Sequence, residues 1–272
     1  MKNFLVSIII PTYNSEKFLV RCLDSIKNQT YKNIEIVVVD NNSTDNTKKI
    51  AKKYTDKVFN KGPERSAQTN YGVSQAKGDY VYKVDSDFVL DSIVVEQCIA
   101  KAQEGFDAVV VHNSPDTRTS WIAKIRKFEV DMYKYDITHS AARFLKKSVY
   151  EDIGGNDEKI TAAEDYDFQN KLNKNGYKTG FIDAEALHLG EPTNILDHMK
   201  KYYWYGQDMV NYKIQNEVES KTQLSFIRPV YIKHWKKFVL SPFMGVAFII
   251  YNTFKYGFGG AGFMVGKLNR LK

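Results

Sequence analysis

Tyr80-Val81-Tyr82-Lys83-Val84-Asp85-Ser86-Asp87 is the stretch on which the reading of this chain turns. Its apolar run reads as a buried strand that delivers two carboxylates at its end. Spaced Asp-x-Asp just past a strand, both side chains can reach one divalent cation. Hard oxygen ligands suit Mg²⁺ or Mn²⁺, ions that commonly neutralise phosphate. The pair therefore points to a phosphorylated or nucleotide-linked substrate. Acidic pairs at strand ends are common and mostly solvated, so the flanking elements must decide.

Toward the N-terminus, Val6 to Ile10 is an apolar, β-branched run closed by Pro11-Thr12-Tyr13-Asn14. Such a run suits a strand buried on both faces, as in parallel sheets. It reads as a first strand and not as a signal peptide, since nothing resembles a cleavage site. Ser15 is placed to cap a helix reaching about Gln29, with Phe18, Leu19, Cys22, Leu23 and Ile26 on one face. Ile34 to Val39 is a second buried strand, ending at Asp40, and Asn41 to Asp45 is turn chemistry. A helix from about Asn46 to Tyr54, a weaker strand near Val58 and a helix from Ser66 to Ala76 then lead to the opening stretch. This β-α alternation predicts an α/β fold: a Rossmann-like, mostly parallel sheet with helices on both faces. Ligands in such sheets bind outside the carboxyl ends of the strands. Three strand ends then project polar groups: Thr12-Tyr13-Asn14, Asp40-Asn41-Asn42 and Asp85-Ser86-Asp87. Neither a Gly-x-Gly-x-x-Gly nor a Walker A loop follows the first strand, which disfavours dinucleotide and P-loop readings.

The later chain is less regular. A helix from Ser92 to Gln103, a strand from Asp107 to His112, a helix over 120–135 and a short strand at Ala141 to Phe144 are expected. Gly154-Gly155 opens a flexible stretch leading to Glu164-Asp165-Tyr166-Asp167, where a further helix starts and runs to about Gly176. Tyr177 to Ile182 reads as a strand, and His188 follows soon after it. A neutral imidazole there is a candidate further metal ligand. His112 and His139 are given no role.

The 272 residues allow one large α/β domain or a domain with an appendage. Cys22 and Cys98 sit in helix-like patterns without metal-type spacing, so both read as small core residues in a reducing compartment. The net charge of +7 is uneven. His198 to Lys272 holds twelve lysines and arginines against three acids, while residues 1–197 are slightly acidic. Nucleic acid and anionic membrane are both conceivable partners for a basic tail. The local sequence favours membrane. Lys200-Lys201-Tyr202-Tyr203-Trp204-Tyr205 mixes cations with interfacial aromatics. Lys233, Lys236 and Lys237 precede the uncharged segment Phe238 to Tyr251, and Lys255 is the sole charge from Phe238 to Gly266. That segment suits an interfacial, re-entrant or shallow hairpin element better than a spanning helix. The expected division is an α/β domain over 1–197, with one half to about 90 and a second from about 91, and a membrane-associating helical tail over 198–272.

Several of these motifs, in this order, resemble family 2 glycosyltransferases of the GT-A fold. The resemblance is carried by Val6 to Asn14, by Ser25-Ile26 with Gln29-Thr30-Tyr31, by Glu35 to Asp45, by the Asp-x-Asp element, and by Gly154-Gly155 followed by Glu164-Asp165. It covers about residues 4–190.

The resemblance implies a nucleotide-diphosphate-sugar donor and inversion at the anomeric carbon. Asp87 would be the principal ligand of Mg²⁺ or Mn²⁺, with Asp85 on the ribose or metal-bound water and Ser86 between them. The cation would act as a Lewis acid on the departing nucleoside diphosphate. Asp40 would meet the nucleobase edge, with Asn42 in the same turn. Pro11, Thr12 and Tyr13 would line the base pocket, and Glu16 would reach ribose or base. Arg65, just before a helix, suits a bidentate phosphate contact. The family often has arginine immediately before the asparagine that is Asn70 here, where this chain has Thr69. Asp165 would be the general base that takes the acceptor proton, and Glu164 would orient the acceptor or its loop. The acceptor is expected to be a lipid-linked saccharide, polyprenyl phosphate or surface glycan, at the cytoplasmic face of the membrane. A polyprenyl-phosphate sugar synthase lies within the same chemistry. A sugar nucleotidyltransferase, releasing pyrophosphate, and a non-catalytic nucleotide-sugar-binding scaffold are the alternatives outside it. Retention of Asp85, Asp87 and Asp165 argues against the scaffold.

Overall fold

The computed structural model describes residues 3–270. Along the chain run β1 (Val6–Thr12), α1 (Glu16–Lys27), β2 (Ile34–Asp40), α2 (Thr47–Ala51), β3 (Val58–Asn60), α3 (Arg65–Gln75), β4 (Tyr80–Lys83) and β5 (Phe88–Leu90). There follow α4 (Val94–Gln103), β6 (Ala108–Pro115), α5 (Trp121–Val130), β7 (Phe144–Lys146), α6 (Lys147–Asp152), α7 (Glu164–Lys174) and β8 (Thr179–His188). The remainder is helical: α8 (Ile195–Gln215), α9 (Glu217–Gln223), α10 (Pro229–Lys233), α11 (Trp235–Leu240) and α12 (Pro242–Asn269). The chain forms two compact units. The first is Met1–Asn113, Ala141–Glu158 and Lys171–Gly190, and the second is Ser114–Ser140, Lys159–Asn170 and Glu191–Lys272.

The first unit is built on an eight-stranded sheet of order β3-β2-β1-β4-β7-β6-β8-β5. β3, β2, β1 and β4 are parallel, whereas β4–β7, β7–β6 and β8–β5 are antiparallel. Parallel order thus covers the half that the β-α alternation made legible. The later strands return without such crossovers. All seven residues of β1 are buried, which is why the run is apolar without alternation. Ile8, Ile10 and Val38 share one core with Leu19, Leu23 and Cys22 of α1 and with Val94 and Cys98 of α4. On the opposite face α3 comes so close that a Cβ at Gly72 would overlap Ile9 and stand 3.1 Å from Val39. Both cysteines are free and buried. Ser15 occupies the position before α1 without capping it through its side chain. Its hydroxyl is engaged by Ser86 instead.

The second unit is all helical apart from the end of β6. Ile122 and Ile125 of α5, Met132, Met199 of α8, and Phe248 and Tyr251 of α12 form one core. The expected boundary at residue 197 lies inside α8, and Ile122 and Ile125 share a core with the tail. Within the tail, α12 runs unbroken for 28 residues. Glycines let α8 and α12 approach closely. A Cβ at Gly262 would overlap the Tyr203 carbonyl, and one at Gly266 would lie 2.5 Å from the Gln207 carbonyl oxygen. No helix among the described residues is long and apolar enough to cross a membrane.

An ionic network lies inside this unit. Glu129 accepts from Lys255 Nζ at 2.8 and 3.0 Å, from Tyr133 at 2.7 Å and from Tyr231 at 3.0 Å. Arg228 donates to the Tyr133 hydroxyl at 2.7 Å. Burial alone would raise the Glu129 pKa, but Lys255 and Arg228 hold it down to about 2.

Candidate active site

The carboxyl ends of β1 and β2 are stitched side chain to side chain. Thr12 pairs with Asp40 in register, and its hydroxyl donates to Asp40 Oδ1 at 3.0 Å. Ser43 donates to Asp40 through its backbone N–H at 2.8 Å and its hydroxyl at 2.5 Å, and Lys48 lies 3.5 Å away. Asp40 is fully buried. The loop's own donors hold this carboxylate, which braces the turn. Asn42 has a φ of 53°, a left-handed conformation that asparagine tolerates better than most residues. It exchanges side-chain and backbone hydrogen bonds with Asn60. Glu16 is likewise committed. Its Oε2 accepts from the backbone and side chain of Asn46, both at 2.9 Å. Pro11 and Thr12 are buried, whereas Tyr13 is 62% exposed at the end of β1, so its ring is the member of that segment open to a base.

Gln68 was not singled out by the sequence. From α3 it donates to the carbonyls of Thr12 at 2.9 Å and Val39 at 2.6 Å, and so satisfies two strand-end acceptors at once. A glutamine in a helix gives no signal of this until the strand ends are adjacent. Thr69 is buried and donates to the Arg65 carbonyl, so the departure from the family pattern puts no cation there. Asn70 instead holds the Gly155–Asn156 turn, through Asn156 N at 2.9 Å and Asn156 O at 3.0 Å.

Past β4, Asp85 and Asp87 have separate environments. Asp85 Oδ2 accepts from Arg143 Nη1 at 2.6 Å and lies 3.7 Å from Arg65 Nη1. Arg143, 8% exposed, also lies over the Phe88 ring at 5.2 Å. The structure thus sets Asp85 beside two guanidiniums. Guanidiniums in such a place are suited to contact phosphate. Arg143 was missed because it carries no motif. Its function arises from β7 pairing antiparallel to β4.

Asp87 faces the imidazole. His188 Nε2 lies 3.1 Å from Asp87 Oδ2, both partly exposed. β5 and β8 set this approach, since Phe88 pairs with His188, and Leu189 N donates to the Asp87 carbonyl at 2.9 Å. A Cβ at Gly190 would overlap Asp87 Oδ2 and stand 3.2 Å from His188 Nε2, so the absent side chain leaves the pair room. A carboxylate oxygen and an imidazole nitrogen beside such space fit Mn²⁺ or Mg²⁺, with phosphate and water completing the shell. No group of three or more such ligand residues occurs among the described residues.

Glu164 and Asp165 open α7, in the second unit. Ala163, just before them, has a φ of 65°, which costs an alanine energy and turns the chain sharply into the helix. Glu164 is buried and Asp165 half-buried. Asp167 is committed elsewhere: its Oδ1 accepts from Asn216 Nδ2 at 2.8 Å. His139, given no role, has Asp136 2.6 Å from its Nδ1.

The site is thus an α/β sheet whose polar strand ends carry an acid–imidazole pair and two arginines about one carboxylate. Residues 7–154 match the model of glycosyl transferase family 2, and the chain belongs to that family. Glycosyltransferase GlyG of Streptococcus pneumoniae is 39% identical over 117 residues, 40% of this chain and 38% of that protein. The chain thus spans well under half of that relative. The GalNAc(5)-diNAcBac-PP-undecaprenol beta-1,3-glucosyltransferase of Campylobacter jejuni is 33% identical over 111 residues, 37% of this chain and 35% of that protein. The mannosyltransferase PcManGT from Pyrobaculum calidifontis, solved with GDP-Man and Mn2+, superposes with a TM-score of 0.58 over 97% of this chain and 75% of that one. At 16% identity it shows the shared fold.

Proposed function

We propose that the chain transfers a sugar, with inversion, from a nucleotide-diphosphate sugar to a hydroxyl of a lipid-linked or surface-glycan acceptor. The observation that carries this reading is the Asp87–His188 pair beside Gly190, flanked by the Asp85 carboxylate that Arg143 and Arg65 hold. Asp87 and His188 would hold Mg²⁺ or Mn²⁺, which supplies Lewis-acid stabilisation of the leaving diphosphate. Arg65, which is 42% exposed, is the guanidinium open to the phosphates, while the more buried Arg143 fixes Asp85. Tyr13 stacks on the base. Asp165 takes the proton of the acceptor hydroxyl as that oxygen attacks the anomeric carbon from the face opposite the nucleotide. The C. jejuni relative, named for an undecaprenol-linked acceptor, and PcManGT, solved with a nucleotide sugar and Mn2+, support the acceptor and donor classes.

The second unit seats the enzyme on an anionic membrane face, cytoplasmic by the reading of its reduced cysteines. Phe243 is 91% exposed and Leu240 82%, and Val246, Ile250 and Phe254 continue the apolar stripe along α12. Lys233 and Lys236 are exposed just before it, matching the charge of the headgroups.

Thermal unfolding with a panel of nucleotide sugars, with and without Mn²⁺, tests the donor. One nucleotide sugar is expected to protect the protein more with Mn²⁺ than without it. Asp165→Asn should keep that protection and lose transfer by about 10²–10⁴-fold. Undiminished turnover in that variant rules out the base assignment. For docking, Phe243→Ser with Ile250→Ser should abolish co-sedimentation with phosphatidylglycerol vesicles. Truncation is unsuited to this test, since Phe248 and Tyr251 belong to the unit's core.

A further inference from the structure

The second unit contains a cavity of about 380 Å³ between α8, α9 and α12, within the roughly 300–1,000 Å³ of small-molecule sites. Four cations line it, namely Lys213, Lys221, Arg228 and Lys255, and no acid does. The nearby carboxylate that answers them is Glu129, shared by Lys255 and, through Tyr133, by Arg228. One buried acid against the buried Arg228 and the 15%-exposed Lys255 leaves an excess positive charge at the cavity wall, which an anion would relieve. Lys213 and Lys221 are exposed and add positive charge at the rim. The other walls are aromatic or apolar, including Tyr202, Tyr256 and Phe263.

The glycines point the same way. Gly206, Gly262 and Gly266 permit close helix contact, as their blocked Cβ positions show. Gly260 has no such reason, for a Cβ there would meet nothing within 4 Å. Gly260 is exposed on α12 and is one of the residues that line the cavity.

We infer that this cavity binds a lipid phosphomonoester, with the alkyl or isoprenyl chain among the aromatic walls and the phosphate at the cations. The site uses neither Asp87 nor Asp165, so it stands or falls apart from the transfer chemistry. Isothermal titration of the full chain with dodecyl phosphate, below its micellar concentration, tests it. Dodecyl maltoside and inorganic phosphate are expected to bind at least tenfold more weakly. Gly260→Leu favours the helix and fills the cavity, and should weaken dodecyl phosphate at least tenfold with the far-UV spectrum unchanged. The double variant Lys213→Gln/Lys221→Gln should weaken dodecyl phosphate several-fold and leave the maltoside unaffected. Phe243→Ser, on the exposed stripe, should change neither. Equal binding of the maltoside would overturn the role of the cations, and equal binding of inorganic phosphate that of the chain. Unchanged binding in folded Gly260→Leu, or loss in Phe243→Ser, would put the lipid elsewhere and end the proposal.

Discussion

Arg143 Nη1 donates to Asp85 Oδ2 at 2.6 Å across 58 residues of sequence. The first acid of the Asp-x-Asp element is thereby tied to a strand that pairs antiparallel with β4. The two acids, alike in sequence, part company: Asp85 fixes arginines, and Asp87 meets His188.

Because Arg143 is buried and bonded to that carboxylate, Arg143→Ala leaves Asp85 without its closest cation. Removing one partner of a buried pair costs about 3 kcal/mol. Urea unfolding should show that loss, and a cycle with Asp85→Asn should show the two changes to be strongly non-additive. Additive effects would mean that the pair contributes nothing as a pair.

Gly190 tests the cation reading without touching a ligand. Gly190→Ala would drive its Cβ into Asp87 Oδ2. Mn²⁺ affinity in the presence of nucleoside diphosphate, read by titration of the Mn²⁺ electron-spin signal, should fall at least about tenfold, as for lost outer-shell support. His188→Ala should do the same. Unaltered Mn²⁺ binding in both variants would falsify the assignment of this pair.

Much of the first unit was legible because the buried parallel strands β1 and β2 end in polar residues and are each followed by a helix. Asp85, Asp87 and the Thr12 and Asp40 turns declared themselves in this way. What stayed hidden depends on pairings between distant segments. Arg143 acquires its role through β7, Gln68 through the meeting of two strand ends, and Gly190 through the return of β8 alongside β5. The tail misled for the opposite reason. Its long uncharged run reads as a separate element, yet Phe248 and Tyr251 complete a core begun by Ile122 and Ile125.

The α8–α12 contact separates two kinds of glycine. Gly262→Ala would set a Cβ against the Tyr203 carbonyl and force the helices apart, at a cost of about 3 kcal/mol. A Cβ at Gly257 would meet nothing within 4 Å, and Gly257→Ala should stabilise the helix by about 0.5–1 kcal/mol. Melting curves of the two variants should move in opposite directions. Matching shifts would deny that close packing sets the need for glycine at 262.

Acid should loosen the second unit in two stages. His198 is buried, with Tyr251 Oη 2.8 Å from its Nε2. Burial first, then Arg126, Lys201 and Lys255, lower its pKa from 6.5 to about 3. Between those values the unfolded chain binds a proton that the folded one refuses, so stability falls as pH drops below 6.5. Glu129 has the opposite charge type but the same sign of effect. Its stabilisation is complete above the ordinary carboxylate value of 4.5 and is lost as pH falls through about 2. The window from pH 6.5 to 4.5 therefore isolates histidine. Two pH units there correspond to about 2 kcal/mol for one fully refused proton. His234, also lowered by burial and by Lys237 and Lys233, is common to both proteins compared. Unfolding free energies of the parent and His198→Gln, measured across this range, should converge as pH falls. Parallel curves would show that His198 takes up its proton in the folded state and does not carry the acid sensitivity of this range.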